Sequence, residues 1–122
     1  MTILAIDLTA PITLNLIIRA ASGGILEIAV TYLDLPVDIS GAQIKYVAAF
    51  TVPVEKTVGN GITIVDAPNG IFQIEFAQSD TATQNVRQFV FHECKLSLAG
   101  GEPQPVFDGR ITLEQSVFTD MT

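Results

Sequence analysis

Apolar and polar side chains alternate with period two along most of this chain, and glycine, proline and asparagine punctuate the alternation. Such spacing places successive side chains on opposite faces of an extended strand. Ile12, Leu14, Leu16 and Ile18 share one face, opposite Thr13, Asn15 and Arg19. Leu26, Ile28, Val30 and Tyr32 repeat the pattern against Glu27 and Thr31. Ile44, Tyr46, Ala48 and Phe50 follow, opposite Gln43 and Lys45, and Ile62 to Val65 is a short β-branched run. Phe72, Ile74 and Phe76 alternate with Gln73 and Glu75. Val90, His92, Cys94, Leu96 and Leu98 oppose Glu93, Lys95 and Ser97, and Phe107, Ile111 and Leu113 oppose Arg110, Thr112 and Glu114. These runs predict about seven strands, the usual complement of a small antiparallel sandwich.

The connections carry their own turn chemistry. Asn60-Gly61 and Asn69-Gly70 supply residues that tolerate positive φ, and Asp66-Ala67-Pro68-Asn69-Gly70 is the strongest hairpin signal. Ser22-Gly23-Gly24 separates the first two runs, and Gly100-Gly101 opens the connection into the last. Asp38-Ile39-Ser40-Gly41 predicts a sharp corner in which the Asp38 carboxylate accepts local backbone N–H groups. Ser79 to Val86 is the only stretch that predicts a helical turn, capped by Ser79 or Asp80. No βαβ alternation is present. The expectation is an all-β antiparallel β-sandwich over residues 11–122, preceded by an N-terminal arm or edge strand at residues 1–10.

Composition narrows the function classes. A 122-residue chain that is 48% hydrophobic and 16% charged has enough apolar side chains for one core. No apolar stretch approaches the roughly 20 residues of a membrane-crossing helix, so membrane insertion is not expected. Residues 1–10 lack the basic start of a secretory leader, which predicts no export by that route. Thirteen acidic and six basic side chains give a net charge of −7, and the cations are scattered singly, so nucleic acid is not an expected partner. The single cysteine, Cys94, excludes an intrachain disulfide and suits synthesis in a reducing cytoplasm.

Candidate chemistry is sparse. His92 and Cys94 stand two apart and project to one strand face, but a zinc site needs further ligands and there is no other cysteine or histidine. As a nucleophile and base the pair falls short as well, because i and i+2 neighbours on a strand lie roughly 6.5–7 Å apart. The expectation is that Cys94 is a buried hydrophobe and His92 a partly buried residue at the sheet edge. Asp34, Asp38, Asp66 and Asp108 could supply paired carboxylates for glycoside hydrolysis, and Asp66, Asn69 and Asp108 could hold calcium. Turn aspartates more often bind backbone. No glycine pair is followed by the lysine and hydroxyl residue of a phosphate loop. No cofactor, metal or catalytic residue is therefore expected, and the chain reads as non-enzymatic.

The succession of motifs resembles a known family. Leu14-Asn15-Leu16-Ile17-Ile18 is followed by Leu26-Glu27-Ile28-Ala29-Val30-Thr31-Tyr32, then by Leu35-Pro36-Val37-Asp38-Ile39-Ser40-Gly41-Ala42. Gly61-Ile62-Thr63-Ile64-Val65 precedes Asn69-Gly70-Ile71-Phe72-Gln73-Ile74. Phe91-His92-Glu93-Cys94-Lys95-Leu96 and Phe107-Asp108-Gly109-Arg110-Ile111-Thr112-Leu113 complete the series. This order, over about residues 12 to 117, resembles the small immunoglobulin-like domains of tailed-bacteriophage virions, including the N-terminal domain of baseplate upper proteins. The resemblance implies a virion or prophage structural protein of a tail, baseplate or fibre attachment, made in the bacterial host cytoplasm, with other phage structural proteins as partners.

A mean hydropathy of +0.44 agrees with a chain that meets neighbours. Ile3, Leu4, Ile6 and Leu8 could add a strand to a neighbour's sheet or pair within their own, and Phe89 and Phe91 could form an apolar contact patch. A homo-oligomer is the natural expectation. A host-surface carbohydrate-binding module is the alternative reading, which the absence of tryptophan disfavours.

Overall fold

A computed structural model describes residues 3–19, 24–50, 52–81 and 89–114. The chain is all-β. Its strands are β1 (Ile3–Asp7), β2 (Ile12–Thr13), β3 (Leu16–Arg19), β4 (Gly24–Tyr32), β5 (Leu35–Pro36), β6 (Gln43–Ala48), β7 (Val54–Val58), β8 (Gly61–Asp66), β9 (Ile71–Phe76), β10 (Phe89–Ser97) and β11 (Gln104–Glu114). A 3₁₀ turn at Ala67–Asn69 joins β8 to β9, and a single helical turn, α1, covers Gln78–Thr81. The expected helix at residues 79–86 thus has its first residues in α1, while 82–86 lie outside the described residues, as do residues 22 and 23 of the first turn.

Each run of alternation contains a strand. Among the described residues the strands number eleven instead of seven because β1, β5 and β7 are added and the first run is split into β2 and β3. Hydrogen bonding links them along one path, β1-β4-β9-β8-β7-β6-β10-β11-β2, with β3 also on β11 and β5 also on β4. Short of its end at β11 and β2, the path is thinnest between β7 and β8, where only Thr57 with Gly61 and Val58 with Ile62 are in register. The sheet closes on one core: Tyr46 of β6 meets Phe76 of β9 edge-on, ring centroids 5.4 Å apart, although those strands are not neighbours in the sheet. Ile28, Val30, Phe72 and Ile74 share that core with Ile44, Tyr46, Cys94, Leu96 and Ile111, all buried. Burying such side chains supplies about 1.5–3 kcal/mol each relative to exposure, which is what holds the sheet around its core.

The segment 3–19 serves both ends of the path. β1 pairs in parallel with β4, and after a turn at residues 8–11 β2 and β3 pair in parallel with β11. The split between β2 and β3 has a local cause. The Leu14 N–H donates to the Asp108 carbonyl at 2.6 Å, and the next contact comes from a side chain, Asn15 Oδ1 accepting the Arg110 N–H at 3.1 Å. Gly109, at φ 144°, lies so close that a Cβ there would collide with the Leu14 carbonyl. A register shift after Cys94 turns both Val106 and Phe107 inward, so strict alternation missed Val106 as a core residue.

The Asp38 corner forms as expected: its Oδ1 accepts the Ser40 N–H at 2.9 Å and the Ser40 hydroxyl at 2.6 Å. Ile39 is carried fully into the core, and its N–H donates to the Ala67 carbonyl at 2.9 Å. The corner therefore rests on the β8–β9 turn, which Gly70 closes in the left-handed conformation at φ 70°. A Cβ on Gly70 would stand 2.6 Å from the Val30 carbonyl oxygen and 2.8 Å from that of Val37, both rigid backbone. Gly70→Ala combines steric collision with unfavourable φ and is expected to cost about 3 kcal/mol or more, read as a lowered urea midpoint with unchanged slope.

Candidate interaction surfaces

The pair His92 and Cys94 is committed to the interior. β10 runs between β6 and β11, so His92 sits in a central strand and not at the sheet edge as its sequence context suggested; it is 2% exposed. Both ring nitrogens are used. Nδ1 lies 2.9 Å from the Tyr46 hydroxyl and Nε2 lies 2.6 Å from the Leu14 carbonyl. A carbonyl only accepts, so Nε2 carries the proton, and Tyr46 O–H donates to Nδ1. Burial holds the imidazole below its ordinary pKa, against smaller opposing effects of the Leu14 carbonyl and the Asp108 charge. Burial also raises the Tyr46 phenol and pushes the Cys94 thiol up to about 12. Cys94 is fully buried, so it is neither a thiolate nor within reach of solvent.

The aspartates divide into two kinds. Asp38 accepts from Ser40, and Asp66 Oδ2 accepts from Asn69 Nδ2 at 2.8 Å, so both close their own turns. Asp108 lies in β11 opposite Glu93 of β10 on the outer face of the sheet. Among the described residues no three His, Cys, Asp or Glu side chains gather as metal ligands would.

That outer face carries the first exposed apolar patch. Phe89 and Phe91 are 50% and 65% exposed, packed edge to face with centroids 5.9 Å apart, and the Arg110 guanidinium lies 4.5 Å above the Phe89 ring. Beside them a groove of about 670 Å³ is lined by Asn15, Val47, Phe91, Asp108 and Arg110, among others. A second groove of about 480 Å³, over β6, β7 and β10, has Lys45, Thr57, Val58, Lys95 and Pro103 among its lining residues. The arm residues separate. Ile6 is in the core, Leu4 and Leu8 pack partly buried against it, and Ile3 remains 45% exposed.

A second exposed apolar feature was not anticipated. β4 and β5 are joined by the two-residue turn Leu33-Asp34, with Tyr32 opposite Leu35. Both turn residues have positive φ, 52° and 65°, the geometry of a type I′ hairpin, which asparagine and glycine normally occupy. Leucine there carries about 1 kcal/mol of strain. Tyr32, Leu33 and Leu35 are 54%, 67% and 69% exposed. The turn is braced by Asp7, whose Oδ2 accepts the Asp34 N–H at 2.8 Å and the Thr31 hydroxyl at 2.9 Å, while Oδ1 accepts the Thr9 N–H at 2.9 Å. These bonds, that of the Thr9 hydroxyl first, hold the Asp7 carboxyl well below the usual carboxylate range. The available sequence signal was Tyr32-Leu33-Asp34-Leu35-Pro36, where aspartate tolerates positive φ and proline ends the pairing, but the missing glycine concealed the turn.

Compared with known proteins, the chain matches no family model and no curated protein. Among solved structures it is similar to the N-terminal domain of phage TP901-1 ORF48. The two superpose with a TM-score of 0.59 at 14% identity, over 92% of this chain and 96% of that one. The backbone fold is therefore shared with a phage protein domain along nearly its full length.

The His92 arrangement predicts a pH response. Because the native imidazole has the lower pKa, the unfolded chain takes up its proton first, so stability falls as pH drops from about 6.5 toward the native value and then levels off. His92→Leu should abolish that slope in urea titrations. It should also cost about 2 kcal/mol or more at pH 7.5, because the Tyr46 hydroxyl and Leu14 carbonyl lose their partner. Cys94 should resist thiol alkylation until the protein unfolds, at a rate that tracks the unfolding equilibrium.

Proposed function

We propose that this chain is a non-catalytic structural domain of a tailed-phage or prophage virion, acting through protein–protein interfaces in a tail, baseplate or fibre attachment. The observation that carries the proposal is the near full-length fold similarity to a phage protein domain. The facing halves β1-β4-β9-β8 and β7-β6-β10-β11 are, on this reading, the two layers of an immunoglobulin-like sandwich joined by the short β7–β8 contact. Support also comes from how the reactive groups are spent: His92 and Cys94 are buried, whereas Phe89, Phe91, Leu33 and Leu35 face outward. Exposed aromatic and branched side chains on regular strands are what assembly surfaces present. The partners of this reading are other structural proteins of the particle.

One observation favours carbohydrate binding as the second reading. The groove beside Phe91 combines an exposed ring with Asn15, Asp108 and Arg110, the mixture of apolar platform and hydrogen-bonding groups that a sugar face requires.

Immunogold labelling of purified particles from the encoding phage or prophage tests the proposal. The expected result is label confined to the tail or its tip. Particles without label, alongside free protein in the same lysate, contradict it. Glycan-array binding lost in Phe91→Ala would support the second reading instead.

A further inference from the structure

The strands β1, β4, β9 and β8 are neighbours along the pairing path, and their outward side chains are more apolar than a solvated face requires. Register sets Ala5, Ala29 and Ile71 in one row across them, Ile3, Glu27, Gln73 and Thr63 in the next, and Ile25 opposite Glu75. All stand on the face opposite the buried Ile6, Ile28, Val30, Phe72 and Ile74. Ile3 and Ile25 are each 45% exposed, and Val65, at the irregularity in β8, is 52% exposed. A sheet with water on one side alternates apolar inward and polar outward, whereas strands covered on both sides read as near-continuous apolar runs. Ile3-Leu4-Ala5-Ile6, Ile25-Leu26-Glu27-Ile28-Ala29-Val30 and Ile62-Thr63-Ile64-Val65 follow the second pattern. The stretches 43–46 of β6 and 92–96 of β10 follow the first, with Lys45, Glu93 and Lys95 outward.

Charge on these four strands has one sign. Each carries a single acid, Asp7, Glu27, Asp66 or Glu75, and none carries a lysine or arginine. Asp7, Glu27 and Asp66 accept hydrogen bonds from Thr31, Gln73 and Asn69, while Glu75 stands exposed beside Ile25.

We propose that the outer face of β1, β4, β9 and β8 docks a different structural protein of the particle, through an apolar surface that brings a cation to Glu75. The sign of the charge selects the occupant. A second copy presenting the same face would set acid against acid, and like charges across an interface are unfavourable. The other strands of a second copy offer no uncompensated cation among the described side chains. Lys45 and Lys95 lie 3.5 and 3.9 Å from Glu55 and Glu93, Lys56 is 2.7 Å from Asp80, and Arg110 lies over Phe89. The net charge of −7 also favours a cationic partner over another copy of this chain. Pairing of β4 with β9 from Gly24 to Ala29 fixes Ile25 and Glu75 side by side before contact, so docking has little backbone left to order. The inference rests on the reading of the chain as a virion component and names the face and the partner chemistry that assembly uses.

Carboxyl labelling tests it, with a water-soluble carbodiimide and glycine ethyl ester as the probe and peptide mass spectrometry as the readout. In the free protein Glu75 should label equally at every concentration, and in purified particles that labelling should be lost. Ile25→Lys and Glu75→Lys change exposed positions, so both variants should stay folded by circular dichroism. Supplied in place of the natural chain, each should enter particles about tenfold less or worse. Glu75 that labels in particles as it does in the free protein overturns the proposal, as does undiminished incorporation of either variant. Labelling that fades as the free protein is concentrated puts a second copy on the face and overturns it too. In those cases the protein is still a particle component and the virion reading stands, whereas particles that lack the protein remove that reading and this inference with it.

Discussion

A single imidazole ties together three stretches of chain that are remote in sequence. His92 belongs to the central strand β10, Tyr46 to its neighbour β6, and Leu14 to the break between the short strands β2 and β3. Leaving any one of these groups without its partner in the interior would cost more than the bond itself contributes, because each has already given up water. The arrangement is fully satisfied: among the described residues no buried side-chain nitrogen or oxygen lacks a partner. Phe107 and Phe76 close around it, with ring centroids 5.3 Å from His92 and 5.4 Å from Tyr46 respectively. The consequence is positional. The Leu14 carbonyl meets Nε2 where the first run of alternation divides into two strands, both of them on β11.

The segment 3–19 serves both ends of the sheet. β1 covers β4 at one end of the pairing path, and β2 and β3 cover β11 at the other. Exposed strand edges invite uncontrolled pairing with other chains, and the strands that end this path, β1 and β2, are short. With short strands at the ends, specific contact shifts to side chains on the faces and turns. The exposed aromatic pair on β10 and the braced tip at Leu33 stand there, on well-paired strands that hold them rigidly. Asp7 connects the two themes, since it ends β1 and its carboxylate also fixes the β4–β5 turn.

Much of this was legible in the sequence because period-two alternation is a direct consequence of strand geometry. The faces Ile28-Val30, Ile44-Tyr46-Ala48, Phe72-Ile74-Phe76 and His92-Cys94-Leu96 are buried as the pattern requires, and the Asp38 and Asn69-Gly70 turns form with their expected chemistry. What escaped was whatever depends on tertiary context. The bulge that buries Val106 is a mismatch between two strands, visible in neither alone. The depth of His92 depends on which strands flank β10, and the conversion of Leu33 to positive φ depends on an aspartate 26 residues earlier in the chain. The candidate surfaces were half legible: Phe89 and Phe91 lie off the alternating core face and could be picked out, whereas the tip carries no glycine to mark it.

The central claim is that residues 3–19 are an integral part of this domain's own sheet, fastened through Leu14 and His92. Amide hydrogen exchange of the isolated protein at pH 7 tests this most directly. The hydrogen-bonded amides of β1 and of residues 12–19 should exchange as slowly as those of β9 and β10, in one cooperative opening. Exchange of those amides at the rate of an unstructured peptide, while β9 and β10 stay protected, would contradict the account.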